Sequence, residues 1–215
     1  NRVVGVERDG IVSGYAAFRF RRPDDIAGYD IVVSELVYDD PQALRELLAF
    51  FHSQSDQVER IEVQSGDEHL HMLLDDPSSG RKHRYGTGIL ELRSTGIGLM
   101  YRVLDVRQVW EPLSGWSFGD RSCRVEFRIA DSLVVDNERP FVLRVQDGRA
   151  EVADEGEADV AVSLDIARFS SLLAGSTDFA TLYRYGLAEL SDPSYLQTLQ
   201  ILFGTFAKPQ CMTNF

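Results

Sequence analysis

Apolar positions in the first sixty residues fall into runs that alternate like strands and one run that repeats like a helix. Val3-Val4-Gly5-Val6 is separated by Asp9-Gly10 from a longer run, Ile11 to Phe20, carrying Tyr15, Phe18 and Phe20. An Asp-Gly pair between two such runs is the sequence mark of a tight hairpin turn, so the chain opens as an antiparallel pair. A polar stretch at 21–28 returns the chain into a second long β run, Asp30 to Val37, expected antiparallel to the first. Asp40-Pro41 then offers an N-cap carboxylate followed by proline at the first helical position, where the missing N–H costs nothing. Leu44, Leu47, Leu48 and Phe51 recur at helical spacing and make one apolar face that packs on the sheet. Val58 to Val63 alternates again as a strand, with Glu59, Ile61 and Val63 on one side.

The middle of the chain is less regular. Glu68 to Leu74 reads as a short helix, and a polar loop with Pro77, Ser78, Ser79 and Gly80 follows. Gly96-Ile97-Gly98 opens an apolar run to Val106, with a short helix near Arg107 to Leu113 and a domain boundary near residue 104. Beyond it the pattern sharpens. Cys123 to Ile129 alternates, Phe141 to Val145 meets Arg149 to Val152 across Asp147-Gly148, and Asp159 to Leu164 places Val160, Val162 and Leu164 on one face. Asp165 caps a helix bearing Ile166, Phe169, Leu172 and Leu173 that stops at Gly175. Two further helices are expected, near Asp178 to Tyr185 and from Asp192-Pro193 with Leu196, Leu199, Leu202, Phe203 and Phe206 as its stripe. Strands first and helices last make the fold class α+β, without internal repeats.

Composition narrows the choice of partners. The 215 residues are 44% hydrophobic and 26% charged, which is globular usage. A formal net charge of −12 opposes phosphate backbones and anionic lipid, so nucleic acid and membrane are not expected as partners and a cationic ligand is favoured. Acidity that serves solubility alone is the plainer reading. Neither a membrane-spanning run nor a signal peptide is present in the sequence as read, which makes the expected location cytoplasmic. Two cysteines, Cys123 and Cys211, are too few for a disulfide framework and lack metal-ligand spacing, so free thiols are expected. The first residue is Asn, which suggests a fragment or a processed product.

Motifs that carry chemistry are scarce. No phosphate loop, dinucleotide fingerprint, HExxH or nucleophile elbow occurs, and Gly86-Thr-Gly and Gly96-Ile-Gly are too short and wrongly placed. His69 and His71 would share a face on a strand but not on a helix, and ordinary surface or packing histidines are the reading preferred over a metal site. Asp24-Asp25 and Asp75-Asp76 are adjacent and diverge in any regular element, leaving solvated turn charges. Trp110, Trp116 and Phe118 either line a pocket or form core, the second being commoner.

The order of strand Tyr15 to Phe20, strand Asp30 to Tyr38, the helix from Pro41 and strand Val58 to Val63 resembles the second half of a GNAT acetyltransferase. Enzymes of that fold place an Arg/Gln-x-x-Gly-x-Gly/Ala loop between this strand and this helix, where backbone N–H groups cradle a pyrophosphate. Here the junction is Tyr38-Asp39-Asp40-Pro41, with carboxylates and a proline where donors are wanted, so acyl-CoA should be repelled. Over the whole chain, the run Gly98 to Val106, the segments Asp131 to Asn137, Arg139 to Arg149 and Leu172 to Gly175, and the ending Lys208-Pro-Gln-Cys-Met-Thr-Asn-Phe215 resemble the Eis (enhanced intracellular survival) acetyltransferases. That resemblance implies a degenerate GNAT-like half-domain over 1–104 and a sterol-carrier-like domain over 105–215. A preceding GNAT domain, which in that family binds acetyl-CoA and supplies a tyrosine general acid, is not in this sequence.

The resemblance also implies roles for three residues. Phe215 matches the terminal residue whose α-carboxylate deprotonates the acceptor amine, which requires its pKa to rise from about 3.5 toward neutrality. Asp105 matches an acidic residue facing the amine cavity and would pair with a cationic substrate; a helix N-cap is the equal alternative. Asn214 stands where some members carry an acid, which weakens the negative charge near the terminus. The expected function is therefore the non-CoA part of an acetyl-CoA-dependent N-acetyltransferase acting on cationic amines or lysines, inactive alone, with no cofactor or metal site of its own. A lipid-binding sterol-carrier-like module with a tunnel among its helices and a scaffold or homo-oligomerisation unit are the alternatives.

Overall fold

The computed structural model describes residues 1–22, 28–75, 93, 95–96, 100–153, 156–205 and 208–209. They form two compact units, 1–95 and 96–209. The first contains a four-stranded sheet ordered β1 (Arg2–Arg8), β2 (Ile11–Arg21), β3 (Tyr29–Tyr38), β4 (Val58–Val63), with helix α1 (Pro41–His52) between β3 and β4 in sequence. The β1–β2 and β2–β3 pairs are antiparallel and β3–β4 is parallel, as expected where a helix carries the chain from one strand to the next. Asp9 and Gly10 both take positive φ, 54° and 78°, which is the conformation a two-residue hairpin turn needs to match strand twist.

Alternation along β2 and β3 puts Ala16, Phe18, Ile31 and Val33 on the face that α1 covers with Ala43, Leu47 and Phe51. Each of the larger of these side chains, Phe18, Ile31, Val33, Leu47 and Phe51, contributes about 1.5–3 kcal/mol of transfer free energy when fully buried. Close approach of the helix depends on Gly14, where a Cβ would stand 3.2 Å from the Ala43 methyl and 3.0 Å from Val37 O. Arg21, Asp30 and Arg60 lie in one row across β2, β3 and β4. The Asp30 carboxylate is wholly buried and accepts from Arg21 Nη2 at 2.6 Å and Arg60 Nε at 3.0 Å. Burial pushes its pKa up, but hydrogen bonds and charge from the two guanidiniums outweigh this and hold it below the usual carboxylate value.

The second unit is a five-stranded sheet ordered β7-β6-β5-β8-β9, comprising β5 (Cys123–Ala130), β6 (Phe141–Gln146), β7 (Arg149–Ala153), β8 (Val160–Asp165) and β9 (Ala188–Leu190). β5 and β8 are parallel and the other pairs antiparallel. Helices α2 (Ile166–Leu173), α3 (Phe179–Arg184) and α4 (Leu196–Leu202) follow. The α2 start is fixed as the sequence suggests, by Asp165 accepting from Arg168 N, and Asp178 caps α3 in the same way by accepting from Thr181 N. Aromatic rings fill the core: Phe127 lies 5.5 Å from Phe141, 5.5 Å from Phe169 and 5.9 Å from Phe203, and Trp110 lies 5.5 Å from Phe118. The α+β expectation is met in both units.

Three local expectations change. Glu68 to Leu74 contains only a 3₁₀ turn, Leu70–Leu73, whose residues are not buried and so lack the packing that extends a helix. The helix expected near Arg107 to Leu113 shortens to a 3₁₀ turn, Gln108–Trp110. The Asp192 cap leads into a 3₁₀ turn, Pro193–Tyr195, before α4. β9 is an addition: three residues are too few to display a period, and only pairing of Ala188 with Leu164 and Leu190 with Val162 defines it. The Asp24-Asp25 pair, the loop at 76–92, residues 97–99, Phe206 and Cys211 lie outside the described residues.

Candidate functional site

Two places bear on chemistry, the start of α1 in the first unit and the segment around Asp105 in the second. At α1, Asp40 adopts an extended backbone conformation and caps the helix with its own side chain. Its Oδ1 accepts from Gln42 N at 2.7 Å and Ala43 N at 2.8 Å, its carbonyl from Leu44 N at 3.3 Å, and Pro41 has no N–H to give. Of the N–H groups that the first turn could turn toward an anion, those of Gln42 and Ala43 are therefore spent and that of position 41 is missing. Asp40 Oδ2 is engaged as well, by Arg8 Nη1 at 3.1 Å, and Arg8 also holds Glu46. The Ala43 N–H, then Gln42 and Arg8, hold the Asp40 carboxyl below its ordinary value against partial burial. A pyrophosphate does not fit here: its donors are taken and a fixed negative charge stands in its place.

Around Asp105, a stretch without regular structure is held by buried side chains. Among the described residues four polar side chains are buried, and three of them, Asp131, Asn137 and Ser170, serve residues 102–106. The Asp131 carboxylate accepts from Arg102 Nη2 at 2.7 and 2.9 Å, from Leu133 N at 3.0 Å, from Val134 N at 3.2 Å and from Asn137 Nδ2 at 2.9 Å. The Asn137 bond, opposed by burial and joined by those from Leu133, Arg102 and Val134, keeps its pKa far below the carboxylate range. Ser170 Oγ accepts from Val103 N at 2.9 Å and donates to Ile166 O at 2.6 Å. Arg107 donates to the carbonyls of Arg139 and Pro140 at 2.8 and 3.0 Å, and its guanidinium lies 5.4 Å from the Phe141 ring centre.

Asp105 itself is exposed, and its Oδ1 accepts from Arg107 N at 2.9 Å and Gln108 N at 2.8 Å. The capping alternative is thus realised at the 3₁₀ turn. A role toward a cation is compatible with it, because among the described residues only Oδ1 of the carboxylate is engaged. Phe215 and Asn214 lie outside the described residues. Trp110 and Phe118 are core, while Trp116 is 57% exposed. His69 precedes the 3₁₀ turn and His71 lies in it, the His71 ring hydrogen-bonding Glu68 O, and among the described residues no group of three metal-ligating side chains occurs. Of the stripes expected to line a tunnel, Ile166, Phe169, Leu199 and Phe203 belong to the buried hydrophobic cluster and Leu173 packs against it. Sequence reading missed the Arg102–Asp131–Asn137 network and the Asp30 row; the one available signal was an apolar run, 99 to 106, broken by Arg102 and Asp105.

Comparison with known proteins agrees with this architecture. Residues 1–103 are matched by the acetyltransferase (GNAT) domain family and residues 111–212 by the sterol carrier protein domain family. The chain thus carries a GNAT-type sheet domain followed by a sterol-carrier-like domain. Among solved structures, it is similar to a GCN5-related N-acetyltransferase from Anabaena variabilis ATCC 29413, with TM-score 0.71 and 18% identity over 96% of this chain and 48% of that one. It is likewise similar to Eis1 from Mycobacterium abscessus, with TM-score 0.66 and 24% identity over 94% and 48%. A GCN5-related N-acetyltransferase from Kribbella flavida gives TM-score 0.65 and 20% identity over 95% and 47%. The chain therefore spans about half the length of these structures. No curated protein matches it. Among the described residues no helix is long and apolar enough to cross a membrane.

Proposed function

We propose that this chain supplies the acceptor side of an acetyl-CoA-dependent N-acetyltransferase, and that the acyl donor docks on other polypeptide. The observation that carries this reading is the self-capped start of α1, where the Asp40 carboxylate takes the Gln42 and Ala43 N–H groups and Pro41 has none to give. Support comes also from the GNAT-type match and from structural relatives twice as long. In this reading residues 1–104 act as a GNAT-like domain without a cofactor loop, and 105–215 as a sterol-carrier-like domain facing the acceptor. The acceptor is a cationic amine or a lysine, favoured by the net charge of −12.

The chemistry that falls to this chain is recognition and proton transfer. Asp105 pairs with the ammonium of the acceptor, Asn214 contributes to acceptor binding, and the α-carboxylate of Phe215 removes the proton that makes the nitrogen a nucleophile. Calorimetry of the chain with acetyl-CoA tests the central point. No saturable heat is expected, and a micromolar isotherm retained in Asp40→Ala would refute the reading. In a protein joining this chain to a donor-binding domain, deleting Phe215 should cost about 10²- to 10⁴-fold in turnover, the range of general-base catalysis. Full turnover after that deletion removes the terminal carboxylate from the mechanism.

A further inference from the structure

An exposed aspartate in a segment without strand or helix ordinarily samples several backbone states, and ordering one residue costs about 1–2 kcal/mol. Asp105 is spared this on binding. The peptide groups on both its sides are held by a single side chain: Asn137 Nδ2 donates to Leu104 O at 3.1 Å, and Asn137 Oδ1 accepts from Val106 N at 3.1 Å. Asn137 is 3% exposed, and its other Nδ2 hydrogen goes to the Asp131 carboxylate. Asp131 is in turn tied to Arg102 and to the backbone of Leu133 and Val134. The carboxylate of Asp105 is oriented too, because Oδ1 takes two N–H groups; among the described residues no donor reaches Oδ2.

The geometry points to Asn137 as the positioning residue of the acceptor site: its amide brackets Asp105 and holds Oδ2 of that carboxylate in place for a cationic amine. A fixed carboxylate loses less freedom when the amine arrives than a mobile one, so rigidity converts into affinity. This rests on the reading of Asp105 as the amine-recognising group. A merely structural Asn137 would change the stability of the unit but leave the affinity of the folded protein untouched.

Spermidine titrated into the ¹⁵N-labelled chain at 150 mM salt, about 8 Å of screening length, separates the two ideas. Shifts of the Arg107 and Gln108 amides, which are bonded to Asp105, report binding. In the unaltered chain they should move saturably, and in Asp120→Asn, a control for general acidity, equally so. Asp105→Asn and Asn137→Gln should each weaken binding by about two- to fivefold, the scale of one surface charge contact. Hydrogen exchange at those amides should quicken by about tenfold in Asn137→Gln while Phe127 and Val162 keep their rates, a local rather than global opening. Wild-type affinity in Asn137→Gln alongside a loss in Asp105→Asn overturns the positioning role and spares the acceptor reading. Undiminished binding in Asp105→Asn overturns both. If Asn137→Gln does not fold, exchange in the unaltered chain decides: protected Arg107 and Gln108 amides support a held carboxylate, and exchange at the free-peptide rate contradicts it.

Discussion

Replacing Asn137 with alanine removes three hydrogen bonds and leaves their partners where they stand. Leu104 is 73% exposed and its carbonyl can turn to water, and the Asp131 carboxylate keeps donors from Arg102, Leu133 and Val134. Val106 has no such recourse, being wholly buried. A lost hydrogen bond costs about 1 kcal/mol and an unsatisfied buried N–H about 1–3 kcal/mol, so the second unit should lose about 3 kcal/mol. For a unit of about 110 residues, with unfolding entropy near 2.1 cal/mol/K per residue, that lowers Tm by about 12 °C. Trp110 is the built-in reporter: its indole donates to Val106 O at 2.9 Å and it is 3% exposed. Both tryptophans, Trp110 and Trp116, belong to this unit, so a fluorescence melt follows it alone. A fall in Tm smaller than about 3 °C would mean that the three bonds are dispensable, and the bracket with them.

Further outcomes follow from other parts of the molecule. Asp30→Asn should destabilise the first unit by about 2 kcal/mol at neutral pH, a buried-pair figure discounted because Arg21 and Arg60 are 37% and 42% exposed. Far-UV circular dichroism should register it while the tryptophan midpoint stays put. Because the folded Asp30 pKa is depressed, the wild-type advantage is complete above about pH 4 and fades as pH falls through the folded value. An advantage undiminished at pH 2 would contradict the assigned direction. Phe127→Ala, which empties the centre of the aromatic core, should cost about 3–5 kcal/mol in urea titrations followed by tryptophan, and a loss below about 1 kcal/mol would show a loosely packed interior. Burial pushes the Cys123 thiol up to about 11, so in a Cys211→Ser background it should resist a disulfide reagent at pH 8 until the protein is unfolded. Prompt reaction of the folded protein would place Cys123 at the surface.

What could be read in advance depended on whether a residue's neighbours are near in sequence. Asp40-Pro41, Asp165 and Asp178 act within their own first turn, and Asp9-Gly10 and Asp147-Gly148 act within two residues, so local chemistry sufficed to place them. The cofactor-loop region was legible for the same reason: a helix start is a local object. Asp131 and Asn137 make their decisive contacts with residues about thirty positions earlier, and nothing in the composition of 131–137 announces Arg102, Leu104 or Val106 as partners. The Asp30 row draws on three strands, one of them thirty residues on. The capping bonds of Asp105 are local as well, reaching only to Arg107 and Gln108.

The way α1 begins also limits what substitutions can do at this helix start. Taking away the Asp40 side chain would still leave an imide nitrogen at position 41, and changing Pro41 alone would still leave an anion parked on the amides of Gln42 and Ala43. Either single step sacrifices helix stability with nothing regained, so recovering a nucleotide-style cradle here requires at least two coordinated replacements across an unfavourable intermediate.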